Sequence, residues 1–421
     1  MKGGVFILKK FTICLFLLVL SGILTACTPA NYKIPNFEGS ENFSLGGDSV
    51  MQYADATDEQ FAAFCTELDK TDFVRTDSHE TMGNRFATYR GKDSYVYVYY
   101  TACAGKIRVI TGPAKELAES SYATNTGRTY TPYITSIPQP DNGLGLIMRL
   151  PDGRFIIHDG GHEGDDRVYA ALRDLVPEGQ IVIAAWFVSH PHIDHYGAFT
   201  DFLINHGADE NIVLERILLN FTDPERYLAL EVYGDTIEDV HYIHRIIQEN
   251  APKVPVLKVH TGQVIDFGDA TVEILYTIED HMPDELRNIN DSSMAMRVTM
   301  GGESFMILAD LGYYSGPILE DMWGEHLKSD ILQVAHHGQW PSVESIYHKI
   351  AAEVAIVPAK LSHYKDDIKD SRWEQQTQAF LSYAKDLYTA CDSPIMIKLP
   401  YTFQNNKEQM VADIQNYAPQ T

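Results

Sequence analysis

Three histidines and an aspartate fall within six residues in the stretch Ser189-His190-Pro191-His192-Ile193-Asp194-His195. Imidazole and carboxylate groups are the donors that zinc, manganese and iron prefer. Packed this densely, they would leave several buried polar groups without partners unless an ion held them together. Two later stretches carry the same donor types. Phe305-Met306-Ile307-Leu308-Ala309-Asp310 is an apolar run ending in a carboxylate, and Asp330 to Val334 leads into Ala335-His336-His337-Gly338. Earlier, Phe155-Ile156-Ile157-His158-Asp159-Gly160-Gly161 ends another apolar run in an acidic turn. His363, after the apolar Val354 to Pro358, reads either as a group that could reach a substrate or as a solvated loop histidine.

The elements that must position these residues can be read from periodicity. Ile181 to Ser189 is apolar throughout and reads as a strand buried on both faces, so the His-rich turn leaves from a rigid base. Strands are expected at Thr131–Ile137, Gly145–Leu150, Arg154–His158 and Leu214–Asn220, then at about 256–260, 271–277, 293–300 and 304–309. Helices are expected at Arg167–Leu175, after Tyr196 and within 235–249. Upstream, Thr57-Asp58-Glu59-Gln60 has the form of a capping box. Phe61, Phe64, Cys65 and Leu68 follow it at helical spacing, and strands are expected at Arg85–Tyr89, Tyr95–Thr101 and Lys106–Thr111. The Tyr/Val run of Tyr95–Thr101 reads as a sheet face packed on a helix, with a binding face as the other reading. The expected layout is a tether over 27–47, a small α+β domain over 48–113, a linker over 114–128 and an α/β domain over 129–421.

The His-rich turn matches His-x-His-x-Asp-His, and the chain from about 129 to 400 resembles the metallo-β-lactamase superfamily. The Asp159 turn, the strand ending in Asp310 and the strand leading to His336-His337 follow in that family's order. Ala-His-His-Gly and Asn290-Asp291-Ser292-Ser293 resemble its ComEC-like branch, whose layout also occurs in phosphorylcholine esterases. The resemblance implies an α/β fold, the αββα sandwich, and two divalent ions, zinc or manganese. It implies that His190 and His192 bind one metal and Asp194 and His195 the other, with Asp310 bridging. One of His336 and His337 would complete the second metal, His337 being the favoured ligand, and the other would face substrate or donate a hydrogen bond. Asp194, His336 and His337 would serve catalysis, and Asp159 would orient a ligand histidine. His241, His244, His260 and His281 stand where a third ligand of the first metal would come from. Tyr196, in Tyr196-Gly197-Ala198, replaces the family's usual small residues; it and His363 are candidate substrate contacts. The implied chemistry is hydrolysis by a metal-bridging hydroxide.

Lys2, Lys9 and Lys10, the apolar Phe11 to Leu20 and then Leu24-Thr25-Ala26-Cys27 resemble a bacterial lipoprotein signal over residues 1–26, with Cys27 lipidated. That places the expected protein on the outer face of the cytoplasmic membrane, held by its lipid. Of the remaining cysteines, Cys65 and Cys103 could pair, or Cys65, Cys103 and Cys391 could all be free thiols. The net charge of −25 over 421 residues disfavours nucleic acid and other polyanions at long range. The leading expectation is a surface-anchored binuclear phosphodiesterase acting on a small-molecule, wall-linked or lipid-linked ester. The alternatives are an extracellular ComEC-like nuclease and a non-catalytic wall-binding protein on a hydrolase scaffold.

Overall fold

The computed structural model describes residues 34–114, 129–164, 166–224, 237–284, 286–339, 344–367 and 371–416. The leader, Cys27 and the expected linker from 115 onward lie outside these residues. Two sheets form the centre of the molecule. The first has eight strands, and its core is the strand Ile181–Val188, buried at every position, as its unbroken apolar sequence requires. It pairs in parallel with Phe155–Asp159, Ile212–Leu214 and Ile217–Leu219, and the sheet continues through Gly145–Arg149 and Tyr133–Ser136 to Ile395–Lys398. The second sheet has seven strands, in the order Val264–Asp266, Ala270–Tyr276, Ala295–Met300, Glu303–Ile307, Ile331–Gln333, Val354–Val357 and Asp386–Thr389.

One apolar layer is shared by the two sheets, with Leu146, Ile156 and Phe187 from the first and Val272, Met296, Ile307 and Ile356 from the second. Helices cover the outer faces. Arg167–Leu175, Ile193–His206 and Ile237–Asn250 lie on the first sheet, and Ser315–Trp323, Glu344–Ile350 and Ser371–Tyr383 on the second. This is an αββα sandwich, the layering that the resemblance implies. The strands that carry Asp159, the His-rich turn, Asp310 and His336-His337 all end at one rim of the sandwich.

The N-terminal sheet has six antiparallel strands, and it begins earlier than expected. Glu41–Leu45, placed in the tether by its polar sequence, pairs with Asp48–Tyr53 through Glu41↔Gln52 to Leu45↔Asp48. The helix Asp58–Leu68 carries the expected capping box between Thr57 and Gln60, and buries Phe61, Phe64, Cys65 and Leu68. From Pro35 onward the chain is one compact unit. The face carrying Tyr95, Tyr97 and Tyr99 joins the N-terminal sheet to the rest of it. It is neither a binding face nor only a helix platform: Tyr97 donates to Thr261 O at 2.7 Å, Tyr99 to Asp280 at 2.9 Å, and Phe86 stacks on Trp323. Cys65 is buried and Cys103 exposed, and both are free, as is Cys391, so Cys65 and Cys103 do not pair.

Candidate metal centre

The His-rich turn begins where the strand Ile181–Val188 ends, and His192 is the extended residue before the helix Ile193–His206. Asp194 and His195 thus occupy the first helical turn, where a carboxylate is favoured by the helix dipole. The Asp159 turn holds this helix start in place. Gly160 N and Gly161 N both donate to His195 O, at 2.8 and 3.2 Å. A Cβ on Gly160 would lie 2.9 Å from Phe199 N, so the close approach of the two backbones requires glycine there.

Asp310 and the His-His pair arrive from the second sheet through unusual backbone. Ala309, His336 and His337 all have positive φ, of 48°, 48° and 55°. Conformations of this kind cost non-glycine residues about 1–3 kcal/mol each and persist where the surroundings enforce them. Here they turn three side chains back over the strand ends.

The result is two donor groups that share one residue. Asp194, His195, Asp310 and His337 form one, and His190, His192 and Asp310 the other, with ligand atoms in each within 4.8 Å of one another. His195 Nε2 lies 3.1 Å from Asp310 Oδ1, and His337 Nε2 lies 3.1 Å from Asp194 and 3.4 Å from Asp310. His190 Nε2 lies 3.9 Å from Asp310 and 3.0 Å from His192 Nδ1. His336 stands at the edge, 3.8 Å from Asp310 and 3.2 Å from the Asn290 amide nitrogen.

The far side of each inner imidazole is tied down. His195 Nδ1 donates to Asp159 Oδ2 at 2.8 Å, and His337 Nδ1 donates to Pro358 O at 2.8 Å. Ser189 Oγ donates to Asp159 and lies 3.0 Å from His190 Nδ1, so it can accept that N–H. Each arrangement leaves Nε2 turned toward Asp310, the usual way a protein orients a ligating histidine. His195 Nε2, His337 Nε2 and Asp310 Oδ1 are buried without a well-formed hydrogen bond, their nearest polar neighbours being one another and Asp194 at 3.1–3.4 Å. Poorly satisfied buried groups of this kind cost about 1–3 kcal/mol each. A cation in each group removes that cost, and the donors are the types it would choose. The residues therefore fit a pair of divalent ions.

Charge follows the same layout. Despite desolvation, His195 and His337 hold the Asp194 carboxyl below the usual range, and His195, His337 and His336 do the same for Asp310. Asp159 is also held down against its burial, by His158 and His195. Burial, reinforced by His195 and His192, keeps His190 well below the ordinary imidazole value. Burial likewise takes His336 down to about 4.

Other expected residues lie elsewhere. Tyr196 is buried and donates to Asp239 on the helix Ile237–Asn250, so it supports helix packing and is not a substrate contact. Its neighbour Gly197 is inside a helix and packs against the backbone of Glu163, so Tyr196-Gly197-Ala198 does not crowd the centre as a loop would. His241 and His244 are exposed on that second helix. His260 is bonded to Glu279 and Tyr95 at the N-terminal sheet. Neither group of donors includes these three or His281. The His363 side chain lies outside the described residues. The sequence reading missed Ser189 Oγ and Pro358 O as supports. Ser189 is adjacent to the motif and could have been suspected, whereas a backbone carbonyl leaves no sequence signal.

Comparison with family models and with curated proteins finds no match. Among solved structures, the chain is similar to the metallo-beta-lactamase fold protein YhfI from Bacillus subtilis, at 15% identity and a TM-score of 0.38, covering 63% of this chain and 99% of that one. It is also similar to Zn(2+)-bound PqqB from Methylobacterium extorquens, at 8% identity and a TM-score of 0.35, covering 63% of this chain and 100% of that one.

Proposed function

We propose that the protein is a binuclear metal-dependent phosphodiesterase, anchored by lipid on Cys27 to the outer face of the membrane. The observation that carries the reading is Asp310, buried and shared by two donor groups whose remaining members are all imidazoles and one carboxylate. His190, His192 and Asp310 would hold one ion, and Asp194, His195, His337 and Asp310 the other. When bound, such a pair lowers the pKa of a water toward neutrality and neutralises charge developing on ester oxygens.

The protein's own groups do the rest. Asp159, Ser189 and Pro358 O fix the imidazole rings, so no reorganisation is needed as charge shifts. His336 is neutral at pH 7, partly open to solvent and next to Asn290, which places it to hydrogen-bond a substrate oxygen. Ala335-His336-His337-Gly338 and the Asn290 stretch support a phosphodiester over a β-lactam, since they resemble the ComEC-like branch. The charge of −25 supports a small or lipid-linked ester over nucleic acid.

The test is metal analysis of the full chain with turnover of bis-p-nitrophenyl phosphate, p-nitrophenyl phosphorylcholine and plasmid DNA. About two metals per chain and hydrolysis of the small diesters are expected, with both lost in His192→Ala and Asp194→Ala. Full turnover in either variant would refute the mechanism. Cleavage of DNA in preference to the small esters would favour the nuclease. No metal uptake from zinc or manganese would favour the wall-binding alternative. The anchor is tested separately by mass spectrometry of the mature N-terminus, where a diacylglyceryl Cys27 is expected.

A further inference from the structure

The parallel ladder between Glu303–Ile307 and Ile331–Gln333 stops at the pair Ile307↔Gln333, just before the two chains deliver Asp310 and His336-His337. The next backbone groups are buried and have no strand partner at that level, yet the Gln333 side chain meets them. Its Oε1 accepts from Leu308 N at 2.9 Å and Ala309 N at 2.7 Å. Its Nε2 donates to Ala309 O at 3.1 Å and Val334 O at 2.7 Å. Two acceptor positions and two N–H groups are all that a primary amide offers, so every one is used. Gln333 is fully buried at the end of a strand whose other residues, Ile331 and Leu332, are apolar. Ala309 O also accepts from His336 N at 2.9 Å, so the amide sits where the backbones of the Asp310 arm and the His336-His337 arm meet.

We infer that Gln333 is a positioning residue of the metal centre: its amide replaces the missing ladder and fixes the left-handed Ala309 turn relative to the His336-His337 turn. The spacing of Asp310 from His337 is set there. A side chain of similar shape without the amide would leave Leu308 N, Ala309 N and Val334 O unsatisfied, and Ala309 O with His336 N as its remaining donor. The strand ends would then take another conformation, and Asp310 would lose its aim. This rests on the proposed metal centre, because it assigns the residue that shapes it.

The test uses the full chain, wild type, Gln333→Met and Gln333→Glu. The readouts are zinc affinity by chelator competition, the visible spectrum of the cobalt-loaded protein, and the melting curve of the metal-free protein. Gln333→Met is expected to fold but to bind zinc roughly 10–100-fold more weakly, with shifted cobalt bands. Gln333→Glu, which keeps the acceptors and loses the paired donors, should fall between it and wild type. Unchanged zinc affinity and cobalt bands in Gln333→Met would overturn the inference while leaving the metal centre intact. Should Gln333→Met fail to melt cooperatively, Gln333→Glu decides on the same readouts. A wild-type chain that takes up neither zinc nor cobalt would instead remove the metal centre, and this inference with it.

Discussion

At the scale of single residues, the metal-free centre stores protons. Burial alone would strip His337 of its charge, but Asp310 and Asp194 raise it to about 10. His195 is raised well above its ordinary value by Asp310, Asp194 and Asp159, again against burial. Both are therefore protonated at neutral pH until a cation competes for their Nε2 lone pairs. Metal loading at pH 7 should release roughly two protons per chain, and affinity should fall as pH is lowered. Calorimetric titration in buffers of different ionisation enthalpy reads this directly, and binding without proton release would contradict it. Asp159→Asn takes the carboxylate from behind His195, so about a 10–100-fold loss in zinc affinity is expected, with the fold retained. How legible each residue was depends on how its partners reach it. His190, His192, Asp194 and His195 are neighbours in the chain and stood out at once. Asp310 and His337 are legible only through the order of motifs in the family that the chain resembles. Tyr196 misled, because its place beside the motif says nothing about which face of the helix it occupies.

At the scale of elements, the N-terminal sheet is joined to the sandwich by buried polar groups. Arg108 pairs with Asp280 at 3.5 Å and donates to Asp280 O at 3.0 Å, while Tyr99 and Thr261 donate to the same carboxylate. Burial, with the nearby Glu279, raises Asp280 to about 6 despite Arg108. Folded Asp280 therefore binds its proton more tightly than it would unfolded, where about 3.8 applies. Its contribution to stability is complete below that value and declines as pH rises to about 6. In Asp280→Asn that decline should disappear, leaving a flatter stability profile between pH 4 and 6 than wild type shows in urea titrations. An identical slope would show that Asp280 does not titrate there. The interface was hidden in the sequence because its residues are over 150 positions apart, as in Tyr95–His260 and Tyr99–Asp280. The edge strand Val74–Thr81 was missed for another reason: it is polar and exposed along most of its length, so it has no alternation to read. The strands Ile181–Val188 and Glu303–Ile307 and the helix Arg167–Leu175 were legible because their burial matches their periodicity.

At the scale of the whole molecule, a net charge of −25 surrounds a centre whose proposed substrate is anionic. Long-range repulsion should slow encounter with a phosphate diester and leave a zwitterionic ester unaffected. Raising ionic strength roughly tenfold should increase kcat/KM for bis-p-nitrophenyl phosphate and barely change it for p-nitrophenyl phosphorylcholine. Equal salt effects on the two would mean that the charge is remote from the approach path. The sandwich has one more consequence, in time. Tyr133–Ser136 pairs along one side with Ile395–Lys398, and Thr135 donates to Ile395 O across 260 residues of chain. As the polypeptide is made, the strand that opens the sandwich must wait for the last of the described strands to appear. Until then its outer edge is bare, and a ribosome stalled or a gene truncated before residue 395 releases a chain with an open, apolar strand edge ready to pair with its neighbours.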